Sequence, residues 1–190
     1  MDKTTLINMA LDELNMPRTT AEQLGLPETD PDGGPTKDPL LTRIESRLSE
    51  AATRVCTQFE WSWTERLVTF TADDDCGPEA GYGHSYELPV PLIRVTHVPA
   101  EEYMTIGGKL LCSDPVEWIA VQDMDSAMDF EDQTVPLTYW AIVARTLALI
   151  VLPFTTNSSQ QLETQITQRL SMQLNELALM DANTNVRRLV

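Results

Sequence analysis

Apolar residues recur every three or four positions at the start of the chain, alternate in its middle, and return to helical spacing in its last third. From Thr4 to Met16, Leu6, Ile7, Ala10, Leu11 and Leu14 fall on one stripe, which predicts an amphipathic helix stopped by Pro17. Residues 18–38 hold Pro27, Pro31 and Pro35 with Gly25, Gly33 and Gly34 among acids, and read as an extended loop. Asp38-Pro39 then supplies an N-cap followed by proline at the first helical position. Behind it Leu40, Leu41, Ile44, Leu48, Ala51, Ala52, Val55 and Phe59 keep helical spacing, while Arg43, Glu45, Arg47, Glu50 and Arg54 occupy the opposite face. After Trp61 and Trp63 the period shortens to two, and candidate strands are Glu65 to Thr71, Leu92 to Val98, Lys109 to Cys112 and Val116 to Val121. Pro136 opens a helix that is apolar on most faces, through Leu137, Trp140, Val143, Leu147 and Val151, and is expected to be central. A last helix carries Leu162, Ile166, Leu170, Leu174, Leu177 and Leu179 to about Asp181, with Ala182 to Val190 as a tail. The pattern predicts an α+β, mainly α protein: a four-helix bundle from residues 1–63 and 135–181, a small antiparallel β insertion at 64–134 between helices 2 and 3, and an extended C-terminal tail at 182–190.

Charge changes the picture more than composition does. The 190 residues are 42% hydrophobic and 22% charged, as in a soluble globular protein, but 29 acids against 13 bases give a net charge of -16. Such a field repels polyphosphate and anionic membranes alike, so a general DNA- or RNA-binding face and a membrane partner are disfavoured. The longest apolar stretch, Trp140 to Phe154, is interrupted by Arg145 and Thr146 and reads as too short to span a bilayer. Met1-Asp2-Lys3-Thr4 leads straight into helical pattern without a signal segment, which predicts a protein made in the cytoplasm. Cys56, Cys76 and Cys112 are too widely spaced for a metal knuckle and read as reduced thiols.

Candidate chemistry is sparse. His84 lies in a Gly- and Tyr-rich loop and His97 on a strand pattern, and neither belongs to a ligand-spaced cluster. Asp73-Asp74-Asp75 could attract a hard cation, and a hydrolase built on it is one reading. The spacing is wrong for a calcium loop, however, and a solvated turn explains the cluster better. Gly107-Gly108 lacks the Lys-Ser/Thr that completes a phosphate loop and reads as a hairpin turn. Trp61 and Trp63 point the same way if the chain there is extended, and packing where helix meets sheet accounts for them without base stacking. No cofactor, metal or catalytic constellation is expected.

The order of local signatures resembles the tail tubular protein A, or head-to-tail adaptor, family of tailed bacteriophages. The residues that carry the likeness are Asn8 to Leu14 running into Pro17, the helix end Gln58-Phe59-Glu60-Trp61-Ser62-Trp63, Leu88-Pro89 before Leu92 to Val95, Gly107 to Leu111, and Val135-Pro136 before Leu137 to Arg145. Relatives often have glycine before the first proline, where this chain has Asn15-Met16, and its 73–83 loop is unusually acidic and Gly-rich.

The resemblance implies a structural virion protein, not an enzyme. Copies would assemble, commonly as twelve, into a ring in the virion neck that sits on the portal protein, extends the DNA channel without binding DNA specifically, and receives a tail nozzle or other tail protein. By analogy the portal would meet Ala182, Asn183, Thr184, Asn185, Val186, Arg187, Arg188, Leu189 and Val190. Candidates for contact between subunits are Arg43, Arg47 and Arg54 on the second helix and Gln161, Gln165, Gln168 and Gln173 on the last, whose uncharged polar face suits either solvent or a neighbour. Candidates for tail contact are Asp73, Asp74, Asp75, Gly81, Tyr82 and Gly83. The rival reading from charge is a small acidic binding module, an assembly chaperone or DNA mimic, acting on a basic partner.

Overall fold

The computed structural model describes residues 1–188 except 30, 32–33, 59–60, 62, 90–91, 131–134 and 157; the side chains of 126 and 180–188 lie outside the description. The chain divides into two compact units, Met1–Val55 with Asp129–Val190, and Cys56–Met128.

In the helical unit, α1 (Lys3–Glu13) starts where the Asp2 carboxylate accepts the Thr5 N–H at 2.9 Å. It ends in a Schellman motif: Asn15 takes φ 54°, Met16 N–H donates to the Leu11 carbonyl at 2.9 Å and Asn15 N–H to that of Asp12 at 3.1 Å. The following loop contains a short helix, α2 (Ala21–Leu24), that the sequence pattern misses. A reciprocal Thr20–Gln23 capping box nucleates it, and the Asn8 amide pins its approach by bonding both the N–H (2.7 Å) and the carbonyl (2.9 Å) of Thr19. Asp38 caps α3 (Pro39–Gln58) by accepting the Leu40 N–H at 2.7 Å.

The last part of this unit holds α5 (Leu137–Val151), a 3-10 turn at Leu152–Phe154, and α6 (Gln160–Arg188). Helix α5 packs against α1 and α6 and is buried through Tyr139, Trp140, Ile142, Val143, Leu147 and Val151. Trp140 stacks on Phe130 at 5.0 Å, and the Tyr139 ring meets it edge-on at 5.0 Å. Leu137–Phe154 is long and apolar enough to cross a membrane (mean hydropathy 1.7), longer than the stretch recognised from sequence, and 56% of it is buried by the protein. Its Arg145 is held by Glu13 at 2.8 Å.

The β unit contains β1 (Glu65–Thr69), β2 (His84–Glu87), β3 (Leu92–His97), β4 (Tyr103–Ile106), β5 (Lys109–Cys112), β6 (Trp118–Asp123) and a short helix α4 (Met124–Ala127). The strands form two antiparallel three-stranded sheets, ordered β1-β6-β3 and β2-β5-β4. Tyr86 and Leu110 are partners across one sheet, Val68 and Ile119 across the other, and all four enter one core with Leu88, Cys112, Val116 and Val121. The β4–β5 turn is Gly107-Gly108 at φ 58° and 80°, the left-handed pair that a two-residue hairpin requires.

These observations correct the expected fold class. With 48% helix, 19% strand and two three-stranded sheets, the protein is α+β but not a four-helix bundle carrying one small β insertion. The β region was underestimated because β2 follows a Gly-rich stretch and β4 is exposed along its whole length, so neither shows a half-buried alternation. The extended tail is also overturned, since α6 continues to Arg188. Ala182 to Val186 lacks an apolar stripe and contains mediocre helix formers, which concealed the continuation.

Candidate interaction surfaces

A row of arginines is the most distinct feature of α3. Positions 43, 47, 50 and 54 share one face of a 3.6-residue helix, and Arg43, Arg47 and Arg54 are exposed there. Glu50 accepts from Arg47 at 2.8 Å and from Arg54 at 2.7 Å, and these bonds hold its carboxyl below the usual range. The Arg43 guanidinium lies 4.2 Å from the centre of the half-exposed Phe154 ring. One carboxylate against three guanidiniums leaves this face with two positive charges in excess.

On α6 the four candidate glutamines do not share one environment. Gln161, Gln165 and Gln168 are exposed, whereas Gln173 is half-buried and accepts a hydrogen bond from Arg145. Arg145 and Arg169 both reach Glu13, at 2.8 and 3.3 Å, so Gln173 belongs to a polar cluster joining α6 to α5 and α1. Met172 and Leu179 are 73% and 67% exposed; helical spacing assigns Leu179 to the apolar stripe of the last helix, but it lies at the surface. Leu189 and Val190 lie outside the described residues, as do the side chains of Ala182, Asn183, Thr184, Asn185, Val186, Arg187 and Arg188, whose backbone is helical.

The acidic turn is tied into the β unit. Asp73 is exposed, but the Asp74 carboxylate accepts from the N–H and hydroxyl of Thr71, both at 2.7 Å. Asp75 meets His84 Nδ1 at 2.6 Å and accepts the N–H groups of Gly77 (2.9 Å) and Ser85 (3.2 Å). The bond to His84, then that from Gly77, lowers the Asp75 pKa. Gly81, at φ 92°, and Tyr82 close a tight turn in which Glu79 and Tyr82 exchange backbone hydrogen bonds at 2.9 and 3.2 Å, and Gly83 is exposed beyond it. His97 stacks on Trp118 at 5.3 Å. Among the described residues no group of three His, Cys, Asp or Glu side chains could hold a metal ion, and all three cysteines are free thiols.

Charge is divided unevenly between the units. Cys56–Met128 carries thirteen acids and only three bases, a formal -10 of the total -16. Each of those bases is engaged: Arg66 with Asp123 at 2.6 Å, Lys109 with Glu79 at 2.8 Å, and Arg94 with the Gln122 side-chain oxygen at 2.7 Å and the Cys56 carbonyl. The net total alone does not show this partition; it appears once acids and bases are counted within the bounds of the β unit.

No protein-family model and no curated protein matches this chain.

Proposed function

We propose that this protein is a head-to-tail adaptor of a tailed bacteriophage, a structural subunit that forms a ring on the portal, continues the DNA channel and presents a platform to the tail. The observation that carries this reading is the order of family-like signatures along nearly the whole chain, from the Pro17-stopped helix to the Pro136-led one. Three physical features support it. The apolar α5 gives each copy its own core, so subunits can fold before they assemble. The exposed α6 face bearing Gln161, Gln165 and Gln168 can meet a neighbour without stranding a charge. An acidic subunit also lines a channel without gripping phosphate, which a duplex in transit requires.

Deleting the gene from the phage that encodes it is expected to yield heads that lack tails and lose their DNA. Deletion particles that keep a complete tail and retain their genome would refute the reading. The -10 of the β unit favours a second reading, an acidic module that binds a basic partner. That module would bind its partner outside any particle and release it at about 0.5 M salt, where the screening length is only a few ångströms.

A further inference from the structure

Building on the ring reading, we propose that the arginine row of α3 is the surface by which one copy holds the next, and that its occupant is the acidic end of the neighbour's β unit. Arg43, Arg47 and Arg54 span roughly 16 Å of helix at 1.5 Å per residue, and all three side chains are exposed. Planar guanidiniums match carboxylates in fork geometry and favour interface ion pairs.

The complement lies at one end of the β2-β5-β4 sheet. Glu101 and Glu102 lead into β4, and the Ser113 N–H donates to the Glu102 carbonyl at 3.1 Å, which brings Asp114 beside them. All three acids are exposed, and among the described residues none has a cationic partner. Next to them β4 is an edge strand whose Tyr103 and Met104 are each 46% exposed, while Arg43 carries the Phe154 ring beside it. Both surfaces thus combine charge of opposite sign with apolar area, as the centre and rim of an interface require. Because the two faces differ, the contact is heterologous, the type that closes into rings.

Two copies of charge -16 repel at long range. The Debye length of about 8 Å at physiological ionic strength confines that repulsion, while contacting pairs still act. Association through this surface therefore passes through a maximum as salt rises, whereas phosphate binding by the same arginines would only decline.

The test is sedimentation velocity of the full chain and two charge-reversal variants over a salt series. One variant is Arg43→Glu/Arg47→Glu/Arg54→Glu; the other is Glu101→Lys/Glu102→Lys/Asp114→Lys. Each alone is expected to lose self-association by on the order of a hundredfold, and their equimolar mixture to regain it, since every reversed row then meets reversed acids. Far-UV circular dichroism checks folding, and the single pair Arg47→Glu and Glu102→Lys replaces either triple variant that misfolds. A mixture no better than its components overturns the contact, as does an arginine-row variant that associates like the native chain. A DNA duplex titrated as probe that binds the native chain and not the row variant also overturns it, by assigning the row to phosphate. If this contact fails while the chain is found in the particle neck, the adaptor reading stands with its interface elsewhere; a tailed, DNA-retaining deletion particle removes the adaptor reading itself.

Discussion

At the scale of single residues, Asn15 shows how the chain turns before its first proline without a glycine. Its backbone sits at φ 54° and closes the Schellman motif, a conformation that asparagine tolerates and β-branched residues do not. Asn15→Val is expected to lower unfolding free energy by about 1–2 kcal/mol in a urea titration, while Asn15→Gly stays near the native value. Gln122 was invisible to pattern reading, because a polar residue at a strand end reads as solvent-facing. It is fully buried, donates to Thr64 Oγ1 at 2.6 Å and the Trp61 carbonyl at 3.2 Å, and accepts from Arg94. Gln122→Leu should cost about 1–3 kcal/mol by the same titration, since it leaves polar groups of the network without their partner. Glu45 gives a pH dependence. Burial alone would raise its pKa, but hydrogen bonds from Lys3 and Lys37, each at 2.6 Å, outweigh that and hold it below the ordinary 4.5. With the folded value depressed, its stabilisation is complete above the unfolded value and disappears as pH falls through the folded one. Glu45→Gln should therefore flatten the acid limb of stability against pH, measured by denaturation at pH values from neutral to below 4.5.

Among the elements, the sequence was most legible where burial is periodic. α1 and α3 were visible in their stripes, α5 in its apolar surface, and the β4–β5 turn in Gly107-Gly108. The misses have local causes. Helix α2 rests on a side-chain capping box inside a proline-rich loop, β4 has no buried face to produce alternation, and α6 outlasts its apolar stripe. The candidate surfaces were legible as residue types only: the arginine row followed from spacing, but the withdrawal of Gln173 towards Arg145 depends on which way α6 faces. The central role of α5 predicts an asymmetry between helices. Leu147→Ala, in its fully buried stripe, should cost about 2–5 kcal/mol, whereas Met172→Ala on the exposed face of α6 should change stability by less than about 0.5 kcal/mol.

For the whole molecule, the net charge of -16 is a sum of unequal parts: an acidic β unit of -10 and a helical unit that contains a basic row. A uniform field would only repel DNA and other copies; a divided one repels phosphate overall and still allows surfaces of opposite charge to meet. The division therefore links the adaptor proposal to the contact proposed between copies. The most direct measurement is a cryo-EM reconstruction of the neck of the particle whose genome encodes this chain. The adaptor reading predicts a closed ring of copies with this fold on the portal, around the DNA channel. A complete neck with no density for this chain between portal and tail would contradict it.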